Sequence, residues 1–374
     1  MTQLDESAGK FASTGEPAER LGKSGARRSL RLPGGTTVVV TPVFDSYWRF
    51  AHLRQEAFMS RVSGGVPPWT DDAVIAAHRF TNVYRASDRV SQYLIRNVIY
   101  TGSQDADEVF FRTMLFKLFN KIETWEHLVA EVGPLSSRSF RMDRVERVLD
   151  GLMSDGATVY SAAYIMPSPA FGEQRKHANH LRLLAHMMKD GAVSKVTRAR
   201  SLAGVFETLR GYPSLGDFLA FQLTIDLNYG PIVDFSEMDF VVAGPGARDG
   251  IKKCFADTGG LSEHEIIRAM AEMAPAEFER QHLPFRDLWG RPLQLIDCQN
   301  LFCEVDKYAR VVHPEFSGAS GRTRIKQRFV PAARPVPQWY PPKWNIHPPV
   351  DIAIEVRDAP RGRPKQTSLF TGLT

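Results

Sequence analysis

Apolar residues recur at helical spacing through most of this chain. In the stretch 44–61, Phe44, Tyr47, Trp48, Ala51 and Phe58 share one face, the three-to-four-residue period of an amphipathic helix. The same period predicts helices over 110–128, 145–153, 262–273 and 295–312, and a short one over 202–210 closed by Gly211 and Pro213. In 79–100 two stripes, Phe80, Val83 and Tyr84, then Val90, Leu94, Ile95 and Val98, predict a pair of helices with Ser87 or Asp88 capping the second. The stretch 215–228, LGDFLAFQLTIDLN, is apolar nearly all round and reads as a buried helix. Only 36–43 reads as a strand, while 158–169 reads as a buried loop or short strand. The expected fold class is therefore mainly α.

The ends break this pattern. Residues 1–35 are polar and carry Arg27, Arg28 and Arg31 without apolar periodicity, which predicts a disordered basic arm. Their Gly22-Lys23-Ser24 lacks the glycine a phosphate loop needs five positions earlier, where Pro17 stands. A helical domain is expected over 36–330 and a Pro-rich linker over 331–374. Within the linker, PRGRPK resembles an AT-hook, its Arg361 and Arg363 suited to a narrow minor groove. The following QTSLF resembles a bacterial sliding-clamp peptide through Gln366, Leu369 and Phe370, with Thr367 where leucine is usual.

Charge and composition narrow the partners. A net charge of +5, concentrated toward the ends, favours a polyanion. No apolar run is long enough to span a membrane and the N-terminus has no apolar secretory core, so a cytoplasmic monomer is expected. Three cysteines without CxxC spacing predict buried thiols, and His177, His180 and His186 lack an HExxH glutamate, so neither a metal nor a cofactor is expected.

The chemistry concentrates in 235–254, FSEMDFVVAGPGARDGIKKC. Gly244-Pro245-Gly246 allows close backbone approach and positive φ, and a helix start with Arg248, Lys252 and Lys253 follows. Helical surroundings favour a hairpin between two helices gripping a DNA phosphate over a dinucleotide fold, which needs flanking strands. Arg322, Arg324, Lys326 and Arg328 alternate, so an extended chain would align four cations on one side, as a phosphate backbone requires. Elsewhere Asn82 carries an amide able to read a base edge, Arg85 and Asp88 are spaced for a helical ion pair, and Asp226, one turn from Gln222 in an apolar helix, needs a close partner or a raised pKa.

FTNVYRASDRVSQYLI, FLAFQLTIDLNY, FVVAGPGARDGIKK and FCEVDKY together resemble the helical domain associated with phage 5-hydroxymethyluracil DNA kinases and with alpha-glutamyl/putrescinyl thymine pyrophosphorylases, over about 44–329. The resemblance implies a helix-hairpin-helix DNA glycosylase-like fold, double-stranded DNA with modified pyrimidines as partner, and, by likeness to anti-phage members, a monofunctional N-glycosylase excising glucosylated hydroxymethylcytosine. On that reading Asp239 leads the catalytic candidates, followed by Asp226 and Glu304. Asp239 has an alternative role in capping or in pairing with Arg248. Tyr84 or Tyr229 stacks on the base, and Asn82, Arg85, Asp88 and Gln222 read it. Lys307 is the lysine that could make the enzyme a lyase. The family pattern places an aspartate about twenty residues after the hairpin, where Arg268 stands. A transferase that displaces pyrophosphate from an activated base to build hypermodified thymine would use the same pocket, and a non-catalytic reader of modified DNA is the third expectation.

Overall fold

The computed structural model describes residues 27–330 and 337–348. Its helices are α1 (Pro42–Val62), α2 (Ala73–Ala77), α3 (Arg89–Tyr93), α4 (Ala106–Phe119), α5 (Ile122–Val132), α6 (Met142–Ser154) and α7 (Lys176–Lys189). They continue with α8 (Ala192–Thr197), α9 (Leu202–Arg210), α10 (Asp217–Asn228), α11 (Pro245–Cys254), α12 (Glu263–Arg280) and α13 (Leu295–Val312). The mainly α expectation holds. Three short strands, β1 (Arg28–Arg31), β2 (Thr37–Val40) and β3 (Phe255–Asp257), form an antiparallel sheet in that order.

Local chemistry explains the principal elements. Thr41 caps α1 through the amide of Val43 with Pro42 in the first turn, and the predicted stripe of Phe44, Tyr47, Trp48, Ala51 and Phe58 is buried. Ser262 and Glu265 close a capping box on α12. Helices α4 and α10 are buried on nearly every side, so any polar side chain they carry must find a partner inside the protein. Arg112 on α4 illustrates this by donating to the carbonyls of Val98, Ile99 and Ser103. Two of these belong to a wide π turn, Leu94–Ile99, whose widened backbone leaves them available.

Five expectations change. The helix expected over 110–128 divides into α4 and α5 at Asn120, which takes the left-handed φ of 50. The end of the predicted disordered arm forms β1, tied to α1 by the Arg28–Asp45 ion pair. Residues 79–84 are irregular, not the first of two helices, and only one 3-10 turn, Arg85–Ser87, precedes α3. Residues 229–244 are irregular as well, so the Gly-Pro-Gly turn joins a loop to α11, not two helices. Finally, part of the expected Pro-rich linker packs on the body. Tyr340 is buried with its hydroxyl at Ser87, the Trp339 amide donates to Gln92, and Arg291 lies 3.8 Å from the Trp344 ring centroid.

The glycines of the turn also have a different reason from the expected one. Gly244 sits at φ −73 as the N-cap residue, a conformation open to any residue. What excludes a side chain is space, since a Cβ there would lie 2.6 Å from the Phe218 ring. At Gly246 it would meet the Cys303 sulfur at 3.1 Å, and at Gly250 the Phe302 carbonyl oxygen at 2.1 Å. These positions let α11 press its backbone against α13 and Phe218. Gly250→Ala should therefore cost at least about 2 kcal/mol in a denaturant titration. Gly151→Ala, on the exposed side of α6 with open space around it, should add up to about 1 kcal/mol.

Candidate functional site

The deepest polar centre lies where the 81–88 segment meets α4 and α10. Arg85 is 2% exposed. Its Nη2 donates to Asp226 Oδ1 at 2.9 Å, its Nε to Gln222 Oε1 at 2.9 Å and its Nη1 to the Tyr229 hydroxyl at 3.0 Å. Lys117 of α4 stands 3.1 Å from the other Asp226 oxygen and donates to Asn120 Oδ1. Burial opposes the Arg85 charge, but Asp226 and the facing Tyr229 and Tyr164 outweigh it and hold its pKa well above the ordinary value. Burial lowers the Lys117 ammonium, with Asp226 opposing and Arg85 reinforcing the shift. Two buried cations thus share one carboxylate. Tyr164, at the left-handed φ of 54, has its ring 5.0 Å from the Lys117 ammonium and stacks on Phe218. It comes from the irregular loop after α6.

A second polar cluster lies on the other side of the same segment. Arg54 of α1 donates to the Thr81 carbonyl and to Asn82 Oδ1. The Asn82 side chain donates to the Ser87 carbonyl, and its backbone amide donates to Asp88 Oδ1. Glu304 accepts from the Thr81 amide and pairs with Lys307 at 2.6 Å. Enclosure of the Asp88 carboxyl, partly offset by the Asn82 amide and Arg54, raises its pKa to about 6. Burial lowers Arg54 to about 10. Arg54 is also one wall of a cavity of about 400 Å³ formed with Phe58, Arg61, Trp69, Phe80 and Phe329.

The expected base pocket is not assembled as foreseen. Asn82 is spent on internal bonds, Tyr84 is buried with its hydroxyl on the Arg291 carbonyl, and Arg85 pairs with Asp226 instead of Asp88. Arg85, Gln222, Asp226 and Tyr229 do come together, in the buried centre. Asp239 is exposed in a loop held by Arg268 through backbone carbonyls, and the expected Arg248 pairing is replaced by Arg248–Glu263 at 3.6 Å. Among the expected phosphate contacts, Lys253 is buried against Asp306 at 2.9 Å and serves packing, whereas Arg248 and Lys252 are exposed.

Arg322, Arg324, Lys326 and Arg328 are exposed, and none enters an ion pair among the described residues. This cationic ribbon is fixed at both ends. Ser320 is bonded to Asp249 of α11, and residues 327–329 bond to the 77–79 backbone beside the cavity. Arg361, Arg363, Gln366, Leu369 and Phe370 lie outside the described residues. Within those residues no group of His, Cys, Asp and Glu converges as a metal site, and no helix is long and apolar enough to cross a membrane.

Sequence reasoning missed Lys117, Tyr164 and Arg54. Lys117 was detectable by the signal that marked Asp226, an ionisable residue inside an apolar helix. Its position implies an asymmetry. Asp226→Asn should strand two cations and destabilise by about 3–5 kcal/mol, whereas Lys117→Met leaves the Arg85–Asp226 pair and should cost less than about 2 kcal/mol. Denaturant midpoints in the reverse order would contradict the charge arrangement. A second prediction concerns Asp297, which accepts the Arg85 and Gln294 amides. Burial, reinforced by Glu237, raises its carboxyl from 3.8 to about 7. The folded state therefore holds a proton that the unfolded state releases between these values, and stability from this group falls as pH rises from about 4 to about 7. Asp297→Asn mimics the protonated form, so wild type should lose stability relative to it across that window in pH-resolved unfolding.

Comparison with known proteins adds the family. A profile described as "5-hmdU DNA kinase, helical domain" matches residues 41–318, which contain both polar clusters. The chain is 27% identical over 291 residues to a protein named 5-hmdU DNA kinase from Bacillus phage SP10, covering 71% of this chain and 45% of that relative. The chain thus spans about half the length of the curated relative. No solved structure matches it. A kinase transfers a group and does not hydrolyse an N-glycosyl bond, so this finding overturns the expectation of an N-glycosylase. The chain belongs to the 5-hmdU DNA kinase helical-domain family.

Proposed function

We propose that this chain binds double-stranded DNA and takes part in group transfer at the 5-substituent of a modified pyrimidine. The observation that carries this reading is the family match over 41–318, because it encloses the buried Arg85–Asp226–Lys117 centre together with α11. With two cations to one carboxylate, that centre has a positive surplus suited to a phosphate-bearing 5-substituent or a pyrophosphate leaving group. Tyr164, strained and only half-buried, covers this centre, so access requires its loop to move. The exposed ribbon supplies the sequence-independent grip on the duplex.

A second reading is a module that holds modified DNA for chemistry performed elsewhere. It is favoured by the internal saturation of Asn82 and Glu304 and by the 45% coverage of the phage relative.

Duplexes carrying 5-hydroxymethyluracil or thymine at one position distinguish these readings. Binding is followed by fluorescence anisotropy, and the digested nucleosides are weighed after incubation with a nucleoside triphosphate and Mg²⁺. The proposal expects tighter binding to the modified duplex and a mass gain on its modified nucleoside. Preference without mass gain selects the holding module, and equal binding with no mass change removes both. Replacing Arg322, Arg324, Lys326 and Arg328 by Gln should make the log–log salt dependence of binding shallower by roughly three to four.

A further inference from the structure

The cavity of about 400 Å³ between the C-terminal half of α1, the 67–70 loop, α2 and Phe329 is not used by the buried centre. Its walls combine aromatic and apolar groups, Phe58, Trp69, Ile75, Phe80 and Phe329, with the guanidinium groups of Arg54 and Arg61. Arg54 is committed to Thr81 and Asn82. Arg61 is half-buried, and its side chain enters neither an ion pair nor a hydrogen bond among the described residues.

The volume falls in the range of roughly 300–1,000 Å³ typical of small-ligand sites, and apolar walls with a few placed polar groups are their usual lining. Trp69 is held in place by its indole donating to the Gly65 carbonyl at 2.7 Å, and its ring meets Phe329 edge to face at 6.3 Å. The wall residue Phe329 is 38% exposed, and two chain neighbours of wall residues, Val66 before Pro67 and Val330 after Phe329, are 81% and 76% exposed. Such a concentration of exposed large apolar side chains marks a contact surface.

What should fill it follows from the charge beside it. The ribbon of Arg322, Arg324, Lys326 and Arg328 ends at this cavity, because residues 327–329 bond to the 77–79 backbone and Phe329 is itself a wall. From its anchor at Ser320 the ribbon can reach at most about 30 Å, enough to follow several phosphates of one strand. The required ligand is a flat heterocycle joined to an anion and continuous with a polyanionic backbone. We infer that the cavity receives one pyrimidine nucleotide turned out of a DNA duplex, its ring among Trp69, Phe80 and Phe329 and its phosphate at Arg61. Enzymes that act on a base inside duplex DNA must extrude it, and aromatic walls compensate for the lost stacking. This inference rests on the DNA reading proposed above and adds where the base goes.

The test uses the full chain and a duplex in which 2-aminopurine neighbours a single 5-hydroxymethyluracil, with an anisotropy label at the far end. Extrusion of the modified nucleotide unstacks 2-aminopurine and raises its fluorescence several-fold, while anisotropy reports binding separately. Phe329→Ala and Arg61→Gln, checked for unchanged thermal unfolding, should lose most of that rise. Phe329→Ala should also bind the modified duplex about tenfold more weakly, with little change on a thymine duplex. Free dTMP should compete poorly, because a duplex-held base has the higher effective concentration.

No anisotropy change with either duplex would overturn the DNA reading and this inference with it. Binding without a 2-aminopurine rise, or an equal rise in both variants, would overturn the cavity assignment alone. Loss of the rise on adding dTMP at undiminished anisotropy would make the cavity a soluble-nucleotide site and overturn it too.

Discussion

Two cations held against one carboxylate organise the interior. Arg85, Lys117 and Asp226 come from three separate parts of the chain, and all are buried. At about 3 Å each attraction is worth roughly 5 kcal/mol at an effective dielectric of 20, but removing an ion from water costs several kcal/mol. The arrangement is therefore better understood as fixing geometry than as adding net stability. Every neighbour is recruited to make it tolerable. Gln222 and Tyr229 accept hydrogen bonds from the Arg85 guanidinium, Asn120 accepts one from Lys117, and Asp297 accepts one from the Arg85 backbone amide. The irregular backbone at 79–84 follows, since a helix there could not present Arg85 to α10, Asn82 to Arg54 and the Thr81 amide to Glu304 at once.

This explains what could be read from sequence. Apolar periodicity reports one helix face at a time, and it located α1, α9, α10, α12 and α13 because each has a dominant buried stripe or is buried throughout. It also identified Asp226 as needing a partner. It could not identify the partner, because Lys117 lies 109 positions away on another helix and periodicity carries no information across elements. The Arg85–Asp88 clasp failed for a related reason. The 3-10 turn at Arg85–Ser87 keeps the three-residue spacing, but Arg85 is drawn inward to Asp226 and the Asp88 carboxyl accepts the Asn82 amide, neither of which local spacing reveals.

The Gly-Pro-Gly turn shows the same limit from the other direction. Glycine spacing alone fits positive φ, phosphate approach and tight helix packing equally well. The observed dihedral at Gly244, with Phe218, Cys303 and Phe302 standing where side chains would go, assigns these glycines to packing. Lys253, which looked like part of a phosphate grip, is accordingly turned inward to Asp306. Pressing α11 onto α13 also positions Asp249 to hold Ser320, where the cationic ribbon begins. Packing at the turn thus reaches the surface through a short covalent and hydrogen-bonded path.

Pairing state separates the charges of this protein more clearly than position in sequence. Arg85, Lys117, Lys253 and Arg291 each meet a carboxylate within about 3 Å, at 2.9, 3.1, 2.9 and 2.8 Å. Arg61 and the four cations of the ribbon have none among the described residues. The four ribbon cations are exposed, so lacking an internal partner costs them little and they remain free to exchange solvent for phosphate, whereas burial lowers the pKa of half-buried Arg61. The buried set is committed to the fold, and Arg85 with Lys117 keeps a local surplus beneath Tyr164. The unpaired set lies on one connected route from α11 to the aromatic cavity. On the proposed reading the two sets divide the labour, with the unpaired set following the backbone of the duplex to the cavity that takes the turned-out nucleotide and the buried set keeping its positive surplus, behind a strained tyrosine, for the phosphate or pyrophosphate of the transfer.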